Sequence, residues 1–161
     1  MLAIVAIQDY SYRGVSWFLF PLLAIASLLG LWLDENLHFF MPLMVINLAF
    51  VFVLLMGLTV YFSLKNRKIV SIADVYLGWG DILFFVVLTV FFSPLNFLMF
   101  IIGSLLFVSL VVVVNPRLSQ NIPLAGIQAS LLIPPVLMKF TSWDPGLQSD
   151  AWIVSLLMQW N

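Results

Sequence analysis

No cysteine occurs in this chain, and histidine occurs once, as His38. The first absence excludes disulfides, a thiol nucleophile and every thiolate metal site. The second excludes a histidine-rich metal cage, so neither a metal nor another cofactor is expected. Charge is scarce as well: 8% of the 161 residues are charged, against 64% hydrophobic, with a mean hydropathy of +1.18. Soluble domains carry about 25% charged residues, so this chain lacks the means to cover itself with a surface that water tolerates. A net charge of −1 speaks against nucleic acid or a polybasic lipid contact. The opening Met1-Leu-Ala-Ile-Val-Ala-Ile7 has no basic segment and no small-residue cleavage site, so no cleavable secretory signal is expected. Repeats, low-complexity tracts and linkers are missing too, and residues 1–161 read as one membrane domain.

What the chain has is apolar sequence in lengths that suit a bilayer. A helix needs about 20 apolar residues to cross about 30 Å of hydrocarbon. Trp17 to Leu33 is one such stretch, bounded by Asp34 and Glu35, and Phe39 to Leu64 is a second, ending at Lys65-Asn66-Arg67-Lys68. From Asp81 the chain stays apolar through Val114, too long for one helix. Ser93-Pro94 divides it, because proline ends a helix at the residue before it. The division gives a short span from Asp81 to Phe92 and another from Leu95 to Val114, closed by Asn115-Pro116-Arg117. Ile122 to Phe140 is the last full span, and Pro134-Pro135 predicts a kink in it. Residues 151–161, with tryptophans near both ends, read as a short interfacial C-terminal helix. Ahead of Asp9 stand only enough residues for about a third of a bilayer, so either the first helix is a stub or the true start lies upstream. The expected architecture is all-α: a polytopic membrane bundle of about six helical segments, the first one short.

Alternating the sides sorts the charges. Arg13, Lys65, Arg67, Lys68 and Arg117 fall on one face with Asp9, Asp74 and Asp81. Asp34, Glu35, His38, Asp144 and Asp150 fall on the other with Lys139. Five of six basic residues on one side mark that side as cytoplasmic. The expected location is the inner, cytoplasmic membrane, multi-pass.

Asp81 is the most telling residue. It follows Gly78-Trp79-Gly80 and opens an apolar run, and an acid entering hydrocarbon is a functional-site hypothesis that requires a partner. Asp9, the one acid among the first thirty-three residues, is that partner by sidedness. Asp74 is read as an exposed loop acid and held as the reserve. The plainer readings are an Asp81 that caps the following helix and an Asp9 solvated in its loop.

Three stretches together resemble the type IV prepilin peptidases and archaeal preflagellin peptidases, membrane aspartyl proteases of the GxGD type. Asp9-Tyr-Ser-Tyr-Arg13-Gly-Val-Ser-Trp17 is similar to the family's first-aspartate loop. Gly78-Trp-Gly-Asp81 resembles the second-aspartate motif, and Asn121-Ile-Pro-Leu-Ala-Gly126 resembles the Ile-Pro-Phe-Gly-Pro turn that opens a late helix. The departures are Val15-Ser16 where the family has Ile-Pro, and Leu83 where a lysine is common. Without cysteines, the zinc-binding, methyl-transferring region of the larger bacterial members is absent. The Pro-Ala-Leu motif of presenilin-like proteases is absent too.

The resemblance implies an aspartic endopeptidase with Asp9 and Asp81 as the catalytic pair. Its substrate would be a pilin-like precursor, cut at the cytoplasmic membrane boundary between a short basic leader and a hydrophobic helix. Two carboxylates in one poorly solvated site hold a single proton between them, which lets one activate water while the other supports the oxyanion. Arg13 would orient substrate or simply hold topology, and Gly78 and Gly80 would let backbone approach an extended substrate and adopt angles that other residues resist. Two other functions compete: an inactive peptidase-fold scaffold or assembly factor, and a small proton-coupled transporter using the two aspartates as a relay. The lipid bilayer is the other expected partner, and the oligomeric state is left open.

Overall fold

The computed structural model describes residues 1–12, 14–33, 37–69, 73, 77–114, 123–138, 146–151, 155 and 158. Among these residues the chain is all-helical, with six α-helices and no strand. They are α1 (Leu2–Tyr12), α2 (Leu19–Leu33), α3 (Leu37–Asn66), α4 (Trp79–Leu88), α5 (Pro94–Val114) and α6 (Leu124–Met138). Each expected span has a helix, with ends displaced by a few residues. The last helix continues through Pro134 and Pro135 to Met138. Of the 151–161 segment, Ala151, Ser155 and Met158 are described and helical.

Two helices, α3 and α5, are long and apolar enough to cross a membrane. Only 11% of the most apolar stretch of α3 is buried within the protein. Phe39, Val45, Phe52, Val53 and Leu64 on that helix are each more than half exposed. An apolar surface of that extent requires an apolar solvent, which a bilayer supplies.

The shortest helix lies at the centre. α4 packs against α2, α3 and α6 and buries Phe84, Phe85, Val87 and Leu88. Phe84 meets Phe20 of α2 edge to face, with centroids 6.5 Å apart. At 1.5 Å per residue its ten residues span about 15 Å, half of the hydrocarbon. The expected span from Asp81 to Phe92 is therefore corrected: regular helix stops at Leu88, and Thr89 to Phe91 form tight turns. The N–H groups of Thr89, Val90 and Phe91 reach back three residues, to Val86, Val87 and Leu88. Asn47 of α3 reaches across and donates to Thr89 O (3.2 Å) and Phe92 O (2.7 Å). Those carbonyls have no helical partner beyond the break, and a buried side-chain amide satisfies them where α4 ends ahead of Pro94.

At the far end of α4 and α5 a loop is strapped onto the bundle. Asn96 Nδ2 donates to the carbonyls of Gly146, Leu147 and Ser149 at 3.0–3.2 Å. Ser93 N–H donates to Leu147 O (2.9 Å), and its hydroxyl donates to Asp150 Oδ1 (2.6 Å).

Candidate active site

The other end of the bundle gathers the C-terminal end of α1 and the starts of α2, α4 and α6, and α3 runs past it from the Asn47 contact. α1 and α6 pack along each other. The first half of α6 is buried on all sides, Leu124 through Ala129 without a break. A helix start brings N–H groups that have no partner inside the helix. Here two consecutive ones meet the two aspartates. Ala125 N–H donates to Asp81 Oδ1 (2.9 Å), and Gly126 N–H donates to Asp9 Oδ2.

Asp9 comes from the last turn of α1, where it is 7% exposed. Ser16 N–H donates to Gln8 Oε1 (3.0 Å), which folds the segment after α1 back over the same helix end. Asp81 is the third residue of α4 and half-buried. Its Oδ2 accepts the Gly78 N–H (3.3 Å) while its Oδ1 turns to α6. The helix-capping reading and the paired reading thus coexist in one carboxylate. The motif residues Pro123 to Gly126 lead directly into this contact; Asn121 and Ile122 lie outside the described residues, as do Arg13 and Asp74.

The expectation for the two motif glycines is corrected in part. Gly78 has φ −67° and ψ 150°, ordinary extended backbone that any residue adopts. Among the described glycines only Gly146 has a positive φ. A Cβ added at Gly80 would make ordinary contact with the Phe20 ring at 3.8 Å. Neither glycine is required for the local chain path.

Both aspartates lie outside α3 and α5, and both are harder to ionise than a solvated carboxyl. Burial pushes the Asp9 carboxyl up, opposed by the Gly126 N–H. Burial likewise pushes Asp81 up to about 6; the Ala125 N–H opposes it, the Asp9 charge adds to it, and the Gly78 N–H opposes it. Burial is the leading cause for both, and the Asp9 charge makes Asp81 harder still to ionise. The positive end of α6 lowers the cost of the charge that remains.

Among the described residues no group of three or more His, Cys, Asp or Glu side chains is arranged to hold a metal. The arrangement is suited to moving a proton between two carboxyls and a third body, at a helix start that also stabilises negative charge. Sequence reasoning missed Ala125 and Gly126 as donors, because a backbone N–H has no letter of its own; Pro123, just ahead of a helix start, is the available signal.

No family model matches this chain, and no curated protein or solved structure is significantly similar to it.

Proposed function

We propose that this protein is a membrane aspartyl endopeptidase that uses Asp9 and Asp81 to activate water. The observation that carries the reading is the convergence of two carboxylates, from α1 and α4, on consecutive N–H groups of α6. A cap alone needs one carboxylate on its own helix. Two acids drawn from distant sequence onto one helix start, with raised affinity for a shared proton, form a proton-transfer device.

The chemistry follows from one proton held between the two. The ionised aspartate takes a proton from water as the water oxygen bonds to the scissile carbonyl carbon. The protonated aspartate donates to the carbonyl oxygen and supports the oxyanion. Collapse of the tetrahedral species breaks the C–N bond, the amine nitrogen takes up the proton first removed from water, and the pair returns to its singly protonated state.

By the family resemblance the substrate is a pilin-like precursor, cut where its leader meets an apolar helix. From the Asn47 contact beside Thr89, α3 runs toward the level of the aspartates and closes on Lys65, Arg67 and Lys68. By the charge sorting of the sequence, these residues with Arg13 and Arg117 favour a cytoplasmic orientation for the aspartates in the inner membrane. A relay reading fits less well, because neither α3 nor α5 carries an acid within its apolar stretch.

The test is cleavage of a small panel of pilin-like precursors in membranes carrying the wild-type chain, Asp9→Asn, Asp81→Asn or Asp74→Asn. Cleavage by wild type and Asp74→Asn, and loss in the other two, is the expected result. Normal cleavage by both Asp9→Asn and Asp81→Asn overturns the reading; no cleavage by wild type in a folded bundle supports the scaffold instead.

A further inference from the structure

We infer that Gly126 is the positioning residue of the carboxylate pair: the first turn of α6 sets where both aspartates stand, and only a glycine at 126 lets α1 approach closely enough. This rests on the endopeptidase reading, and goes beyond it by naming a residue outside the aspartate motifs.

Leu124, Ala125 and Gly126 form the first turn, and Ile127 N–H already bonds Pro123 O as the regular helix begins. Adjacent amides in a helix have fixed spacing and direction. Carboxylates that accept from two adjacent amides therefore have their separation dictated by α6, whatever the loops before them do.

Sterics then single out one residue. A Cβ built at Gly126 would stand 3.0 Å from both Cβ and Oδ2 of Asp9, and 3.4 Å from Ala6 O. The Asp9 Cβ is fixed to the α1 backbone and cannot rotate away, so α1 itself would have to give by a few tenths of an ångström. The facing positions are small, with Ala6, Ala125 and Ala129 all buried, which is how two helices come this close. Elsewhere the same addition meets no obstacle. A Cβ at Gly78 lies 3.5 Å from Asp81 Oδ2, and at Gly30, Gly57 and Gly103 nothing lies within 4 Å.

The depth of α6 is fixed independently. Gln128, fully buried, donates through Nε2 to Ser104 Oγ of α5 (3.0 Å), and Ser104 donates to Ile101 O (3.0 Å). This bond lies one turn below the clamp and holds the donor amides at one level.

Two measurements on the full chain in detergent test the inference. In the wild type labelled with ¹⁵N-glycine and ¹⁵N-alanine, the Gly126 amide resonance should titrate with Asp9 and lose that titration in Asp9→Asn. The Ala125 resonance should do the same with Asp81 and Asp81→Asn. In precursor cleavage, Gly126→Ala should lower kcat about 10-fold, less than the roughly 100-fold of a full 1 Å misplacement, because a shift of a few tenths of an ångström relieves the contact. KM should stay within about threefold, and the acid limb of the pH profile should move, since the Gly126 N–H no longer favours an ionised Asp9. Gly103→Ala should behave as wild type. Wild-type kcat and pH profile in Gly126→Ala, or pH-independent resonances at 125 and 126, overturn the inference. Should Gly126→Ala fail to fold, the wild-type titration decides alone. Titrating amides in a chain that cleaves nothing would sink the endopeptidase reading and leave the clamp standing.

Discussion

The two ends of the bundle use polar side chains in opposite ways. At one end Asp9 and Asp81 accept from backbone N–H groups at the start of α6. At the other, the side-chain amides of Asn47 and Asn96 donate to backbone carbonyls at the end of α4 and in the 146–149 loop. Helix polarity explains the sorting: free amides suit acids, and free carbonyls need donors. The difference also separates roles. Neutral donors on carbonyls close a structure, whereas two carboxyls on one helix start are the basis of the proposed chemistry. Asp150, at the neutral end, is already committed to the Ser93 hydroxyl (2.6 Å).

The sharpest break between the ends is catalytic. Asp9→Asn or Asp81→Asn should lower precursor cleavage at least about 1000-fold, the scale of lost acid–base chemistry. Asp150→Asn should leave it within about twofold. Because asparagine still accepts a hydrogen bond, melting temperatures of the two aspartate variants should stay within a few degrees of wild type, read by circular dichroism in micelles. An equal loss in Asp150→Asn would erase the distinction.

The neutral end should instead break stability. Asn47→Leu removes both donors from Thr89 O and Phe92 O and leaves two carbonyls unpaired beside the α4–α5 break. The cost should be about 1–3 kcal/mol. It is lessened because Asn47 Oδ1 has no partner among the described residues, an unmet acceptor that leucine removes. Unfolding in a denaturing detergent titration should register the change, with cleavage per folded molecule unaltered.

How far the sequence foretold this depends on what each feature is made of. Long apolar runs bounded by charges are written in composition, so α3 and α5 were legible with ends a few residues off. The stop at Leu88 was not: it depends on Asn47, forty-two residues earlier than Thr89 in sequence, although a lone amide inside an apolar run is itself a signal. At the site, the two aspartates were legible as charged groups without company, and the structure brings them to one helix turn. Their holders were not, since backbone donors carry no side-chain signature. The backbone angles expected of Gly78 and Gly80 were misjudged for a related reason. A glycine followed by an aspartate looks purposeful in a sequence, whereas closeness of α1 to Gly126 exists only after the helices pack.

Titration should set the ends apart more gently. Asp81 is raised to about 6 by burial in the folded state, against about 3.9 in an unfolded chain. Between these values the folded protein holds the extra proton, so stability falls as pH rises from about 4 through about 6 and is level above. Asp81→Asn should flatten that slope. Cleavage in wild type should also decline as pH rises through about 6, where the pair loses its shared proton. A pH-independent melting temperature over this range would contradict the burial of Asp81.

The smallest expected effect concerns backbone strain. Each end contains one described residue in the left-handed region. At the neutral end it is Gly146 (φ 64°), where glycine is at ease; at the aspartate end it is Arg67 (φ 52°). Arg67 closes α3: its N–H bonds Leu64 O (3.3 Å), and Lys68 N–H bonds Ser63 O (3.2 Å), the pair of bonds by which a helix commonly ends on glycine. An arginine there costs about 1 kcal/mol in backbone conformation. Arg67→Gly should therefore stabilise the fold by somewhat under that amount, since glycine also frees the unfolded chain, while Gly146→Ala should destabilise it by about 1 kcal/mol. Opposite signs in the two melting shifts are the expected result. Destabilisation by Arg67→Gly would mean that the side chain, and not the cap, holds the end of α3, and the basic cluster would then need a binding role.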